Sequence, residues 1–160
     1  MKPLTISELL KTFPESGELV WIGLRPGRKE PMLSVNNVMA DQGSGLIGDR
    51  YSGSGGKRQV TLIQWEHLAV IQRITRRSIS PDHLRRNLAI QGINLLALKN
   101  RKFQIGDACF QTTGLCHPCS RMEDILGSGG YNAMRGHGGI TAQILRSGMI
   151  KVGDPLTVID

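Results

Sequence analysis

Ala108-Cys109-Phe110-Gln111-Thr112-Thr113-Gly114-Leu115-Cys116-His117-Pro118-Cys119-Ser120-Arg121-Met122 changes its period partway along. Residues 108–113 alternate small or apolar with polar side chains, as a half-buried strand does. Met122, Ile125 and Leu126 then recur at helical spacing until Gly127 stops them. Cys116 to Cys119 therefore sits where a strand hands over to a short helix. Pro118 suits the first helical position, because its missing N–H would have no intrahelical partner there. Cys119 then falls in the first turn, where free N–H groups and the helix dipole favour a thiolate. Arg121 adds positive charge beside it. Downstream, Arg135-Gly136-His137-Gly138-Gly139 forms a glycine turn, so residues 113–139 hold two of the three cysteines and two of the four histidines.

The remaining chain reads as short strands and turns. Ile6, Leu9, Leu10 and Phe13 repeat like one face of a helix, capped by Thr5 or Ser7 and stopped by Pro14. Residues 1–17 are expected to form a helical appendage and 18–160 the main domain. Strands are expected over Glu18–Leu24, Met32–Ala40, Gln59–Ile63 and the segment following Arg85-Arg86-Asn87; Ile140–Leu145 reads as strand or helix, with β-branched Ile140 and Thr141 leaning it to strand. Residues 103–107 read as a turn, and 150–154 with 155–159 as a closing strand pair. A helix is expected from about Gln64 to Thr75. The glycine-rich segment Gln42–Lys57 reads as a loop that stays unfixed unless contacts tie it down. Seven or so strands with two or three short helices imply a mainly β, barrel-like domain.

Composition narrows the function. The 160 residues carry 20 glycines and a net charge of +7, so anionic partners such as phosphates fit. No block of like charge exceeds a few residues, and a nucleic-acid partner is not expected. Residues 1–20 contain Lys11, Glu15 and Glu18 and no sustained apolar core, which argues against a signal peptide. No run is long enough to span a membrane. Three cysteines are too few for a disulfide scaffold, and a cytoplasmic location is expected.

Each chemical motif has a bland alternative. Cys119 reads as a reactive thiolate or soft metal ligand, against a small buried apolar residue. Cys116 could resolve it, ligate beside it or merely pack, and Cys109 is expected in the core. A structural zinc needs four ligands, yet only His117 and His137 stand near the two cysteines in sequence. A thioredoxin-type site lacks its βαβ context. Gly43-Ser44-Gly45-Leu46-Ile47-Gly48 matches a dinucleotide pattern without the helix that pattern requires. Gly53 to Lys57 resembles a phosphate loop, but Arg58 stands where Ser or Thr should hold magnesium. Arg50, Arg85, Arg86, Arg121 and Arg135 flank apparent strand ends, and guanidinium forks match phosphate oxygens. Asn87 follows the best of these pairs. His137 reads equally as ligand-binding or as surface.

Gly48-Asp49-Arg50, Gln59-Val60-Thr61-Leu62-Ile63, Arg85-Arg86-Asn87-Leu88, Ile105-Gly106-Asp107, Pro118-Cys119-Ser120-Arg121-Met122 and Gly153-Asp154 occur in an order that resembles MOSC domains. These are named for the C-terminal part of molybdenum cofactor sulfurases. The resemblance runs from about Leu19 to the end and implies a barrel of the pyruvate-kinase type. It implies that Cys119 carries sulfur or ligates molybdenum. Arg50, Arg85, Arg86, Asn87, Arg121, Arg135 and His137 would then hold the phosphate of a molybdopterin cofactor. The family association extends to pyridoxal phosphate through the full sulfurases, whose desulfurase domain is not seen here, so a stand-alone member is expected. Implied partners are a small anionic cofactor or substrate, and a cysteine desulfurase or electron-donor protein. The implied activity is that of a molybdenum-dependent oxidoreductase or sulfurtransferase; the alternative is a non-catalytic module that binds a phosphate ligand around a structural cysteine.

Overall fold

The computed structural model describes residues 2–51 and 56–160. The chain enters through α1 (Ile6–Leu9), where Thr5 and Glu8 cap each other: the Glu8 N–H donates to Thr5 Oγ1 at 3.2 Å and the Thr5 N–H to the Glu8 carboxylate at 2.7 Å. No residue of α1 is buried. β1 (Gly17–Leu24) follows. The single strand expected over residues 32–40 divides at Asn36 into β2 (Leu33–Val35) and β3 (Asn37–Asp41), because the two halves join different sheets. The segment read as a glycine loop contains β4 (Gly45–Leu46), with Leu46 fully buried. The expectation that this loop stays unfixed falls in part on residues 52–55, outside the described residues.

β5 (Val60–Gln64) is buried at every position. α2 (Trp65–Thr75) then crosses to β6 (Leu88–Gln91), which runs parallel to β5. A parallel pair needs such a crossover, since a tight turn cannot reverse the chain twice. Next come β7 (Lys102–Ile105), where only a turn was expected, and β8 (Ala108–Leu115). α3 (Ser120–Leu126) and α4 (Gly130–Met134) lead to β9 (Ile140–Arg146), β10 (Gly148–Lys151) and β11 (Pro155–Val158). The last two do not pair with each other as expected: β10 joins β3, and β11 joins β7 and β1.

The main sheet has the order β11-β7-β8-β9-β5-β6-β1-β2, and pairing of β11 with β1 closes seven of these strands into a barrel. Closure satisfies strand edges that would otherwise template aggregation. The mainly β barrel expected from the sequence is the observed fold, with four α-helices among the described residues where two or three were expected. No helix is long and apolar enough to cross a membrane among the described residues.

Two apolar clusters arise because the pleat sends alternate residues to opposite faces. Leu62, Leu88 and Ile90 enter the barrel, where Phe103 and Phe110 stack at 5.3 Å between ring centroids. Ile63 and Ala89 point outward and are covered by Leu68 and Ile71 of α2, Met122 and Leu126 of α3, and Met134 of α4. That outer layer fixes α3 against the barrel wall. Phe110→Ala should therefore cost about 3–5 kcal/mol in denaturant unfolding, the usual loss for a buried aromatic. A loss below about 1 kcal/mol would mean that the ring is not packed as described.

Candidate functional site

The first motifs to meet are Gly48-Asp49-Arg50 and Arg85-Arg86-Asn87. Asp49, its side chain 1% exposed, takes Arg25 Nη2 at 2.9 Å on Oδ2. Its Oδ1 takes Arg25 Nε at 3.1 Å and the Arg25 backbone N–H at 2.8 Å. Asn87 Nδ2 donates to the same Oδ1 and to the Gly23 carbonyl, each at 3.1 Å. Burial alone would raise the Asp49 pKa, but the bonds from Arg25 outweigh it and hold the carboxyl below its ordinary value. Asn87, expected at the ligand, is instead fully buried and braces strand ends.

Arg86 is also buried. Its Nε donates to the Gly138 carbonyl at 2.8 Å, Nη1 to Leu84 at 2.9 Å and Nη2 to Cys116 at 3.5 Å. The Cys116 N–H in turn donates to the Gly139 carbonyl at 2.8 Å. This turn admits only glycine. A Cβ on Gly138 would lie 2.0 Å from the Cys116 oxygen, and one on Gly139, where φ is 89°, 1.8 Å from the Leu62 oxygen. The segment that leaves β8 is thus laced to the turn that enters β9.

Cys119 is exposed, whereas Cys109 and Cys116 are buried. It caps α3 with extended dihedrals of −117° and 174°, and the helix begins at Ser120. This corrects the expected boundary by two residues: Pro118 lies before the cap, buried, and Cys119 is not inside the first turn. Proline fits there because the preceding chain is extended, not helical. The Glu123 carboxylate of α3 accepts the Gly129 and Tyr131 N–H groups at 2.8 and 2.9 Å. These bonds hold Glu123 below its ordinary pKa, the one from Tyr131 most. They also pin α4 to α3, and Tyr131 of α4 lines a cavity of about 480 Å³ together with His117, Pro118, Arg135 and Gly136.

Arg85 reaches the Glu30 carbonyl through Nη1 and the Gly27 carbonyl through Nη2 at 3.4 Å. Burial, then the charges of Arg121, Arg25 and Arg50, push its pKa down, with Asp49 working weakly against them. Four arginines from distant parts of the sequence therefore share one electropositive region. Among the described residues the one side-chain ion pair is Arg25 with Asp49, which leaves Arg50, Arg85, Arg86, Arg121 and Arg135 without a carboxylate. A guanidinium group that no carboxylate neutralises can hold an anion.

His137 stands at the far side of the glycine turn. Its ring meets His67 of α2 edge to face at 4.7 Å, and its Nδ1 is buried with no hydrogen-bond partner among the described residues. His67, Glu123 and Tyr131 were missed from the sequence. His67 shows there only as part of α2's polar background, and Glu123 matters only because α4 exists, which no apolar repeat announces.

A closed β-barrel with a helical layer packed on its outer face defines the class. The sequence matches the MOSC domain over residues 40–157, and the chain belongs to that family. Its fold is similar to the YuaD protein from Bacillus subtilis, at a TM-score of 0.79 and 18% identity over 92% of this chain and 98% of that one. It is also similar to YiiM from Escherichia coli, at 0.71 and 19% over 92% and 71%, and to YiiM from Geobacillus stearothermophilus, at 0.70 and 15% over 90% and 75%. No curated protein matches the sequence.

Burial and the neighbouring His137 keep the pKa of His67 below its ordinary value, overcoming Glu66. The unfolded chain takes this proton near pH 6.5, and the folded chain only at lower pH. Stability should fall as pH drops from about 6.5 to the depressed value, and His67→Gln should lessen that fall. Denaturant midpoints at neutral and mildly acidic pH test it; equal falls in both proteins would exclude His67 as the source.

Proposed function

We propose that this MOSC domain works through Cys119, as a sulfur-transfer or molybdenum-cofactor site that receives an anionic ligand. One observation supports the reading: Cys119 alone among the three cysteines is exposed, with Arg121 two residues further on and Arg86, which pairs with no carboxylate among the described residues, close enough to feel its charge. A thiolate is a soft donor, suited equally to sulfane sulfur and to a soft metal. The molybdenum cofactor fits these residues. Among the described residues no three of His, Cys, Asp and Glu gather as a cage, so a metal here fits best inside a cofactor that brings further ligands. Arg85, Arg121 and Arg135 would hold the cofactor phosphate, Arg50 would extend the rim, and Cys119 would be the protein's own ligand. Bound there, the cofactor supplies a redox-active metal. Asn87 and Arg86 hold the walls from behind, and His137 closes the turn.

For sulfur transfer, the Cys119 thiolate attacks the outer sulfur of a persulfide on a donor protein such as a cysteine desulfurase. A bond forms between Sγ and that sulfur, the donor's S–S bond breaks, and the donor leaves as a thiolate. The product is a Cys119 persulfide, and no external oxidant is consumed. Arginines near the sulfur stabilise the anionic partner as it approaches.

Metal analysis of freshly purified protein separates the two forms of this reading: molybdenum near one per chain supports the cofactor site. Loading with a persulfide donor, followed by peptide mass spectrometry, should add one sulfur to Cys119 and none to Cys109 or Cys116. Cys119→Ser should abolish both loadings. A bound phosphate compound that survives in Cys119→Ser, with neither metal nor sulfur in the parent, would instead establish a binding module with an idle cysteine. Arg121→Ala or Arg135→Ala should each weaken phosphate binding about tenfold or more, the loss expected for one charge-assisted bond of roughly 1.5–3 kcal/mol. Calorimetry with inorganic phosphate measures this, and unchanged affinity in both variants would move the anion elsewhere.

A further inference from the structure

Arg86 is 6% exposed, and its hydrogen-bond partners among the described residues are all main-chain carbonyls: Leu84, Cys116 and Gly138. No carboxylate pairs with it among the described residues. A carbonyl satisfies an N–H group but leaves the guanidinium charge uncancelled, and an uncompensated charge in an interior is costly. We infer that Arg86 is a positioning residue for Cys119, which fixes the Cys116–Cys119 segment against the glycine turn and projects a buried positive potential toward the exposed sulfur. The inference rests on the reading of Cys119 as the working sulfur and deepens it. It also moves Arg86 from the ligand's edge, where the sequence suggested it, to the wall behind.

The three carbonyls come from three separate segments: the end of the 3-10 turn at Pro81–Leu84, the exit of β8 and the turn before β9. The exit of β8 is held at both backbone groups of Cys116, since its carbonyl faces Arg86 and its N–H faces Gly139. Cys119 follows three residues later, so the clasp holds one end of the segment that carries it and α3, whose Met122 N–H donates to the Cys119 carbonyl at 2.9 Å, holds the other. Burial depresses the Arg86 pKa; Cys116 first and then Cys119 work against that, while Arg25 and Arg58 add to it. Arginine stays protonated even when buried, so the potential persists at any pH at which the protein is folded. An anionic persulfide or an anionic donor would meet it on approach, and salt would weaken it far less than the fields of exposed arginines.

The test compares two alkylating reagents on Cys119, iodoacetate with its negative charge and neutral iodoacetamide, followed by peptide mass spectrometry. Their rate ratio cancels the thiolate fraction, which is common to both, and reports the local potential. An unstructured peptide of residues 113–122 supplies the reference. In the wild type the ratio should exceed the reference several-fold at low salt. Part of that excess should survive at about 1 M salt, where exposed charges act over only ~3 Å. Arg86→Gln should remove the surviving part, and Arg86→Lys, which keeps charge but not the fork, should retain some of it. A wild-type ratio that collapses to the reference at high salt overturns the inference without requiring any variant to fold. A folded Arg86→Gln protein with the wild-type ratio overturns it as well. If Cys119 takes up no sulfane sulfur yet keeps the high-salt excess, the sulfur-transfer reading fails and the role of Arg86 stands.

Discussion

Asn87 is the side chain on which the site's geometry depends. Its Oδ1 accepts the Thr61 N–H at 3.1 Å, and its Nδ2 donates to Gly23 and to Asp49. Its own carbonyl accepts the Gly23 N–H at 2.7 Å, and its N–H reaches Thr61. One amide thus joins the end of β1, the start of β5 and the loop that carries Asp49. Every one of these groups is out of water, so none can exchange its partner for solvent. Removing such a partner strands the other group at about 1–3 kcal/mol each, which is why the corner is rigid.

Rigidity at that corner is transmitted by packing. β5 and β6 carry two apolar faces, one filling the barrel and one receiving α2, α3 and α4. The outer helices are short, and helices of five or seven residues are not stable alone. They persist because Met122, Leu126 and Met134 are buried on the barrel wall and because Glu123 caps the start of α4. Cys119 is exposed at the head of this layer, so its backbone is ordered while its sulfur faces solvent.

The arginines show how the same residue type does two jobs. Arg25 is neutralised by Asp49 through two parallel bonds and serves the fold. Arg85 and Arg86 are anchored by carbonyls, which orient the guanidinium and leave its charge intact. Charges anchored in this way stay available to act on an anion.

The barrel was legible because alternation is local: Phe110, Leu62 and Leu88 declare a face through their neighbours in sequence, whatever the partner strand. The strand end before Cys119 was legible for a similar reason, since a change of period and a proline mark it; that Cys119 is the exposed cysteine of the three was decided by the fold. The order of weak motifs carried the family. Register and pairing were not legible, because β10 joining β3 and β11 closing on β1 are long-range choices that no local pattern encodes. α4 escaped because its stability comes from the Glu123 cap and the buried Met134, both tertiary. The fates of the arginines also depended on distant carbonyls. Sequence alone marked Arg85, Arg86 and Asn87 as one polar cluster before a strand; burial separated them into an anchored rim cation, an interior cation and a structural amide. Composition determines which charges a chain has, but only the fold decides which of them are cancelled.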